Sequence, residues 1–378
     1  MTMRTTPWAA RPLDGPRPGP GVRVLPYHRL GHADPGHRWW KPIVELVVFG
    51  AVYLVLAVVL GVVWALALMG LRGPDALDEA FADVGRVDLL DPAVLVMVLV
   101  SVILMIPAVL VGRLVIGARP LGLLLSVTGR LRWRVLGRAT AIALAVYVLG
   151  HGALLLVEFA ALGAYPAPEP VDAFPLVVLM VVLLVPLQSA AEELLFRGVL
   201  LQAVGSWVRR PVVAILLPVP LFTFGHFYDV FGLLGVAAMA VVAGWVTWRT
   251  GGLEAAIALH VVNNLLAFSF GALGWAEPGA TETPWYAPVA STVLQLVFAW
   301  LVVRSARKHH VEVTRTVRLP PPGGSGTVWP GPGPRARALG APALGAPAPG
   351  APAGWVCPGP PACPGHWAGQ SPAPLRLP

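Results

Sequence analysis

Three polar groups interrupt apolar runs long enough to lie in a membrane. They are Glu192, Glu193 and Arg197 in "EELLFR", His226 in "FTFGHF", and His260 with Asn264 in "HVVNN". A charged side chain at the bilayer centre costs at least ~2.5–3.5 kcal/mol on insertion scales, so ionisable groups there are functional by default. These residue types suit hydrolysis of an acyl bond. A carboxylate partly withdrawn from water becomes a stronger base, able to take a proton from water and return it to a leaving amine. A histidine beside it can orient that water, while a second histidine and an asparagine amide can donate to the oxyanion that develops on the carbonyl. Glu192, His226 and His260 are equally a two-histidine, one-carboxylate set of the kind that holds catalytic zinc with one open position. The residues leave metal-bound and metal-free water both open, and the H-E-x-x-H arrangement is absent.

Each group also has a plainer reading. Glu193 and Arg197 are four apart and form an i,i+4 ion pair on any helix. Arg197 would serve as an anchor, His226 as an interfacial ring and Asn264 as an interhelical hydrogen bond. Depth separates the two views. With ~1.5 Å rise per residue, Glu192 lies roughly 20 Å up its helix from Gly205, and His226 roughly 22 Å up from Pro211. From Gly252, His260 lies roughly 12 Å and Asn264 roughly 18 Å up. The groups can therefore meet at one level inside a bilayer. His260 and Asn264 share a helix face, whereas Glu192 and Glu193 point about 100° apart. Arg197 is placed to neutralise Glu193, which leaves Glu192 free to face a cavity.

The elements that must position them are membrane helices. The 378-residue chain is 56% hydrophobic and only 12% charged, about half the charge of a typical soluble domain, roughly 25%. Its mean hydropathy is +0.72. The expected fold is an all-α polytopic membrane protein, with about eight transmembrane helices enclosing an intramembrane cavity. The apolar runs cover roughly 43–70, 93–115, 137–163, 173–204, 211–227, 231–249, 253–271 and 287–304, the fifth short and interrupted by Pro218 and Pro220. No internal repeat is present, which weighs against the repeated halves common in secondary transporters.

The net charge of +8 does not indicate nucleic acid, because the basic residues fall in loops that alternate with acidic ones. Arg23, Arg29, Arg38 and Lys41 precede the first span, and Asp75, Asp78 and Asp91 lie in the loop after it. Arg130, Arg132 and Arg134 follow the second span, Glu169 and Asp172 the third, Arg209 and Arg210 the fourth, and Asp229 the fifth. By the positive-inside rule both termini are expected to be cytoplasmic. The chain divides into a flexible cytoplasmic segment over 1–42, three helices over 43–172, a core with the three motifs over 173–304, and a Pro/Gly/Ala-rich disordered tail over 305–378. Cys357 and Cys363, the only cysteines, lie in that tail without zinc-site spacing.

Other intramembrane polar residues have local explanations. His151 and Glu158 share a face and read as structural or interfacial groups. Glu45 reads as interfacial, one turn from Lys41. Glu254 complements the helix dipole at the start of its span.

The ordered motifs resemble the E-E-x-x-x-R, F-x-x-x-H and H-x-x-x-N motifs of the CPBP intramembrane proteases, a family that includes Rce1-like CAAX prenyl endopeptidases and bacterial Abi-type proteins. The resemblance covers about residues 173–304. It implies Glu192 as general base acting on water, His226 as its partner, and His260 with Asn264 as the oxyanion site. Glu193 and Arg197 would buttress the site, and Phe222 would pack beneath His226. The family has been described both as metalloproteases and as glutamate proteases, so a divalent metal such as zinc stays an alternative, with Glu192, His226 and His260 as ligands. The expected partners are the lipid bilayer and a membrane-anchored or membrane-proximal protein or peptide, in a bacterial plasma membrane. The alternatives are a non-proteolytic bacteriocin-immunity or scaffold protein, and a proton-coupled transporter using the same groups as a relay.

Overall fold

The computed structural model describes residues 22–81, 89–117, 120–163, 167–275 and 283–318. The expected all-α polytopic architecture is what it shows. Seven described helices are long and apolar enough to cross a membrane. They are α1 (Lys41–Arg72), α3 (Pro92–Ile103) continued by α4 (Met105–Val115), α5 (Trp133–Leu162), α6 (Phe174–Glu193) continued to α7 (Leu201–Trp207), α10 (Val230–Thr250), α11 (Glu254–Ala272) and α12 (Ala287–Lys308). A short α2 (Ala76–Phe81) follows α1.

The interrupted segment forms two short helices, α8 (Pro211–Leu216) and α9 (Val219–Phe224). Pro218 and Pro220 have no N–H to continue the ladder, so the helix breaks at Leu217–Pro218. The loops show that this pair still connects opposite ends of the bundle. At one end, Val127 N–H donates to Gly251 O (2.9 Å), Leu253 N–H to Leu125 O (2.9 Å) and Arg315 to Val127 O (3.0 Å). His28 there meets Arg209 O at 3.1 Å. At the other end, Glu169 N–H donates to Leu273 O (3.0 Å) and Thr283 N–H to Asp229 (3.0 Å). The chain thus passes from Arg209 to Asp229 between ends. Two short helices of together ~21 Å, plus the non-helical residues that follow up to Asp229, are long enough for a hydrocarbon core of ~30 Å. Counting this pair, the described chain passes between the two ends eight times.

That parity brings the two ends of the described chain together. β1 (Val22–Pro26) pairs antiparallel with β2 (Thr314–Arg318), from Val22 opposite Arg318 to Pro26 opposite Thr314. Two expectations change here. Residues 22–40 of the segment read as flexible are folded: the 3₁₀ turn Tyr27–Ala33 buries Tyr27 and Leu30, and the Tyr27 hydroxyl donates to Leu124 O. Likewise the tail read as disordered from 305 continues α12 to Lys308 and then forms β2. Residues 1–21, the tail from 319 with Cys357 and Cys363, and the side chain of Glu158 lie outside the described residues.

The 3₁₀ turn supports the long helix that carries the glutamates. Arg29 donates to Gly205 O (2.8 Å), and His32 meets Ser206 O at 2.9 Å. These satisfy carbonyls that a helix end leaves without intrahelical donors. Gly205 permits the approach, since a Cβ there would collide with the backbone carbonyl of His28. Outward faces are apolar and exposed, as on α1 with Val47, Leu54, Val58 and Leu66, which is what a lipid-facing surface requires.

Two buried ion pairs revise sequence expectations. Glu45, expected to sit at the interface near Lys41, instead faces Arg113 on α4, with Nε 2.6 Å from Oε1, while Lys41 pairs with Asp34 (3.2 Å). Glu254 does stand at the start of α11, but a side-chain partner holds it as well. Arg132 donates to it from its backbone N–H (2.9 Å), Nε (2.8 Å) and Nη2 (2.6 Å).

Candidate active site

The backbone of α6 is irregular on both sides of the glutamates. Pro186 lies within the helix, where it has no N–H for the carbonyl one turn back. Directly after Glu193 the chain widens into a π-helical stretch, Leu194–Leu200, a distortion frequent at functional sites. Glu193 is fully buried and Glu192 nearly so, at 8% exposure.

The ion pair expected from spacing forms, Arg197 Nη1 donating to Glu193 Oε1 at 2.8 Å. Arg197 also lies over the ring of Phe222, 4.4 Å from its centroid. That contact gives the buried guanidinium a cation–π partner. The same Glu193 oxygen lies 2.8 Å from Nδ1 of His260. A carboxylate oxygen can only accept when ionised, so Nδ1 donates, and this fixes the ring orientation. The opposite nitrogen, Nε2, faces Glu192 Oε2 at 3.2 Å. Both atoms are buried and neither has a hydrogen-bond partner within the protein. Within this group the Arg197 guanidinium offsets the charge of Glu193. Such balance is what keeps buried charges tolerable.

One turn away, Asn264 Nδ2 donates to Gln188 Oε1 at 3.2 Å, and Asn263 Nδ2 donates to Asn264 Oδ1 at 3.0 Å. Helices α6 and α11 run in opposite directions, and each carries two polar residues four apart. Glu192 faces His260 and Gln188 faces Asn264, two rungs of one ladder. His226 stands beside this group. Its Nδ1 donates to Phe222 O (2.9 Å), and its ring packs on Phe222 (4.9 Å) and Tyr228 (5.9 Å). Phe222 also meets the His260 ring at 6.0 Å, so one buried aromatic separates the two imidazoles. Among the described residues no hydrogen bond or ion pair joins His226 to Glu192 directly. Nor does any group of three or more His, Cys, Asp and Glu side chains among them stand ready to hold a metal ion. The three ligand candidates read from the sequence do not converge in this arrangement.

Sequence reasoning missed Gln188 and Asn263, although both are polar residues in apolar spans, and Gln188 stands one turn before Glu192. It also missed Tyr228, whose ring stacks on His226. His151, expected to be structural, donates from Nδ1 to Tyr147 O (2.8 Å) within its own helix and packs on Phe270.

Residues 173–266 match the family model described as type II CAAX prenyl endopeptidase Rce1-like. This stretch is similar to the Rce1-like domain. The match takes in Glu192, Glu193, Arg197, Phe222, His226, His260 and Asn264, and so both rungs of the ladder. A 95-residue alignment, 34% identical, relates the chain to the uncharacterized protein YyaK of Bacillus subtilis (strain 168). It covers 23% of this chain and 32% of that protein, so the chain spans about a third of the length of the curated relative it matches. No solved structure matches the chain.

Proposed function

We propose that the Rce1-like domain makes this chain an intramembrane endopeptidase that hydrolyses a peptide bond with a glutamate-activated water. The observation that carries this reading is the ladder between α6 and α11: a carboxylate against an imidazole, and one turn on a carboxamide, among helices that cross the membrane. The water oxygen attacks the carbonyl carbon while its proton passes to Glu192. The carbonyl oxygen becomes an oxyanion that accepts from His260 Nε2–H and Asn264 Nδ2–H. Glu192 then gives the proton to the leaving nitrogen, the C–N bond breaks, and a carboxylic acid and an amine result. His226, whose Nδ1–H is taken by Phe222 O, keeps Nε2 as an acceptor for the same water. Glu193 holds His260 and Arg197 neutralises Glu193.

The substrate is a membrane-anchored or membrane-proximal protein or peptide. The positive-inside rule, applied to the basic loops with Arg29, Arg132 and Arg209, supports a cytoplasmic side for them and for both termini, in a bacterial plasma membrane. Single cysteines at positions 125 and 312 should resist an impermeant label that reaches one at 168.

Comparing the N- and C-terminal peptides of membranes from wild-type and Glu192→Ala cells tests the activity. New termini present in the wild type and missing in the variant are expected. Identical peptide sets, with the cellular phenotype kept, would instead favour an immunity or scaffold role. Turnover of an identified substrate with and without a chelator and added zinc then tells metal-bound from metal-free water.

A further inference from the structure

The second rung of the ladder fixes which way one amide points. An asparagine carboxamide offers two N–H donors and one carbonyl oxygen. In Asn264 the oxygen accepts from Asn263 and one donor goes to Gln188 Oε1. A single N–H is left over, in a direction set by the other two bonds. Were the amide to rotate by half a turn, it would present an oxygen where the donor had been. Facing an oxyanion, that oxygen would repel. Gln188 is buried, at 7% exposure, and its Oε1 also accepts from Ser189 Oγ (3.2 Å), so the acceptor is itself held in place.

From this we infer that Gln188 is a positioning residue. Its side-chain oxygen, with Asn263 on the other side, locks Asn264 so that its remaining N–H is presented to the scissile carbonyl. The inference rests on the protease reading for its catalytic consequence, but the locking of Asn264 is a property of the folded chain alone. Gln188 stands one turn from Glu192 on the same face of α6, beside the carbonyl that water on Glu192 would attack. Preorganisation of this kind is what gives an oxyanion donor its ~10²–10³-fold effect.

Two measurements on the full chain in detergent test it. The first is hydrogen exchange of the Asn264 side-chain amide in asparagine-15N-labelled protein, its signal identified by its loss in Asn264→Ala. Exchange should be at least about tenfold faster in Gln188→Met, and near the wild-type rate in Gln188→Glu, which keeps an acceptor oxygen. Equal exchange in the wild type and Gln188→Met overturns the proposal. The second is cleavage of a fluorogenic prenylated CAAX-type peptide. Gln188→Met should lower kcat about tenfold with KM unchanged, and should add nothing in an Asn264→Ala background. A further loss in that background would mean Gln188 acts by another route, and would sink the inference. A wild-type chain that leaves the peptide uncut removes the protease reading, and a Glu192→Gln chain that still cuts it removes Glu192 as the base, while the exchange rates still judge Gln188.

Discussion

Two of the buried carboxylate–guanidinium systems among the described residues, Arg132–Glu254 and Arg197–Glu193, are built to opposite rules. At the bundle end, both oxygens of Glu254 accept from Arg132, whose remaining donors reach Thr250 O (3.1 Å) and Glu312 O (2.7 Å). At the candidate site, Arg197 gives Glu193 a single hydrogen bond. There Glu192 Oε2, Glu193 Oε2, Arg197 Nη2 and His260 Nε2 are all buried without a hydrogen-bond partner within the protein. Burying polar atoms unpaired is costly. A fold that can saturate one ion pair and leaves the other open has kept hydrogen-bonding capacity where water and a carbonyl would need it. The saturated pair joins the 125–132 loop, the start of α11 and the segment leading to β2.

The largest expected effect tests the open system. Glu192→Gln keeps the shape of the side chain but not its basicity, so turnover should fall by about 10²–10⁴-fold, with the thermal midpoint close to wild type. A Glu192→Gln chain that is stable and fully active would mean that the open atoms have no catalytic use. Next comes the saturated pair, where the same isosteric change should do the reverse. Breaking a buried ion pair from one side costs about 3–5 kcal/mol. Glu254→Gln should therefore lower expression and the unfolding midpoint strongly, while each folded molecule keeps its rate. Loss of kcat in the folded fraction would show that the bundle end is coupled to the chemistry.

Glu193→Gln falls between the two. It retains an acceptor oxygen for His260 or Arg197 but no charge, so a stability loss of about 1–3 kcal/mol is expected for the weakened buried contacts. Activity should fall as well, because His260 loses the carboxylate that orients it. Stability measured by denaturant titration and kcat should move together here, as they do in neither of the other variants. Inert behaviour in both assays would contradict the role given to this residue.

What could be read from the sequence was what is local along the chain. Apolar runs report membrane helices because a helix in lipid must be apolar for its whole length, and the i,i+4 spacing of Glu193 and Arg197 is enough for their pair. The Gln188–Asn264 and Arg132–Glu254 contacts were hidden because they depend on which helix faces meet, and hydropathy does not encode that. Glu45 was misassigned for the same reason. Lys41, one turn away in sequence, was the visible partner, while Arg113 was an unremarked charge in another apolar run. The ordered residues 22–40 and 314–318 did carry a signal. "VRVLP" and "TRTVR" mix β-branched and polar residues in the manner of short strands. Read separately, however, neither has a partner, and each looks like part of a flexible end.

A third carboxylate separates saturation from burial, and carries the smallest effect. Asp229 accepts from the N–H groups of Gly232 (2.8 Å) and Thr283 (3.0 Å). It thereby caps α10 and ties down the chain before α12. Those backbone donors, with the Thr283 side chain, hold its carboxyl below the usual carboxylate range. Unlike Glu254 it is only partly buried, so water can replace whatever bond is lost. Its folded-state pKa is depressed, so its contribution is complete above the unfolded-state pKa and disappears as pH falls through the lower folded value. Thermal melts in detergent from neutral pH down to about pH 3 should show a slight extra loss of stability in the wild type. Asp229→Asn, already uncharged, should begin slightly less stable and lack that acid-dependent increment. If its loss at neutral pH matched that of Glu254→Gln, saturation alone would set the strength of these contacts. A much smaller loss, as expected, leaves burial as the term that makes the Arg132–Glu254 pair structural.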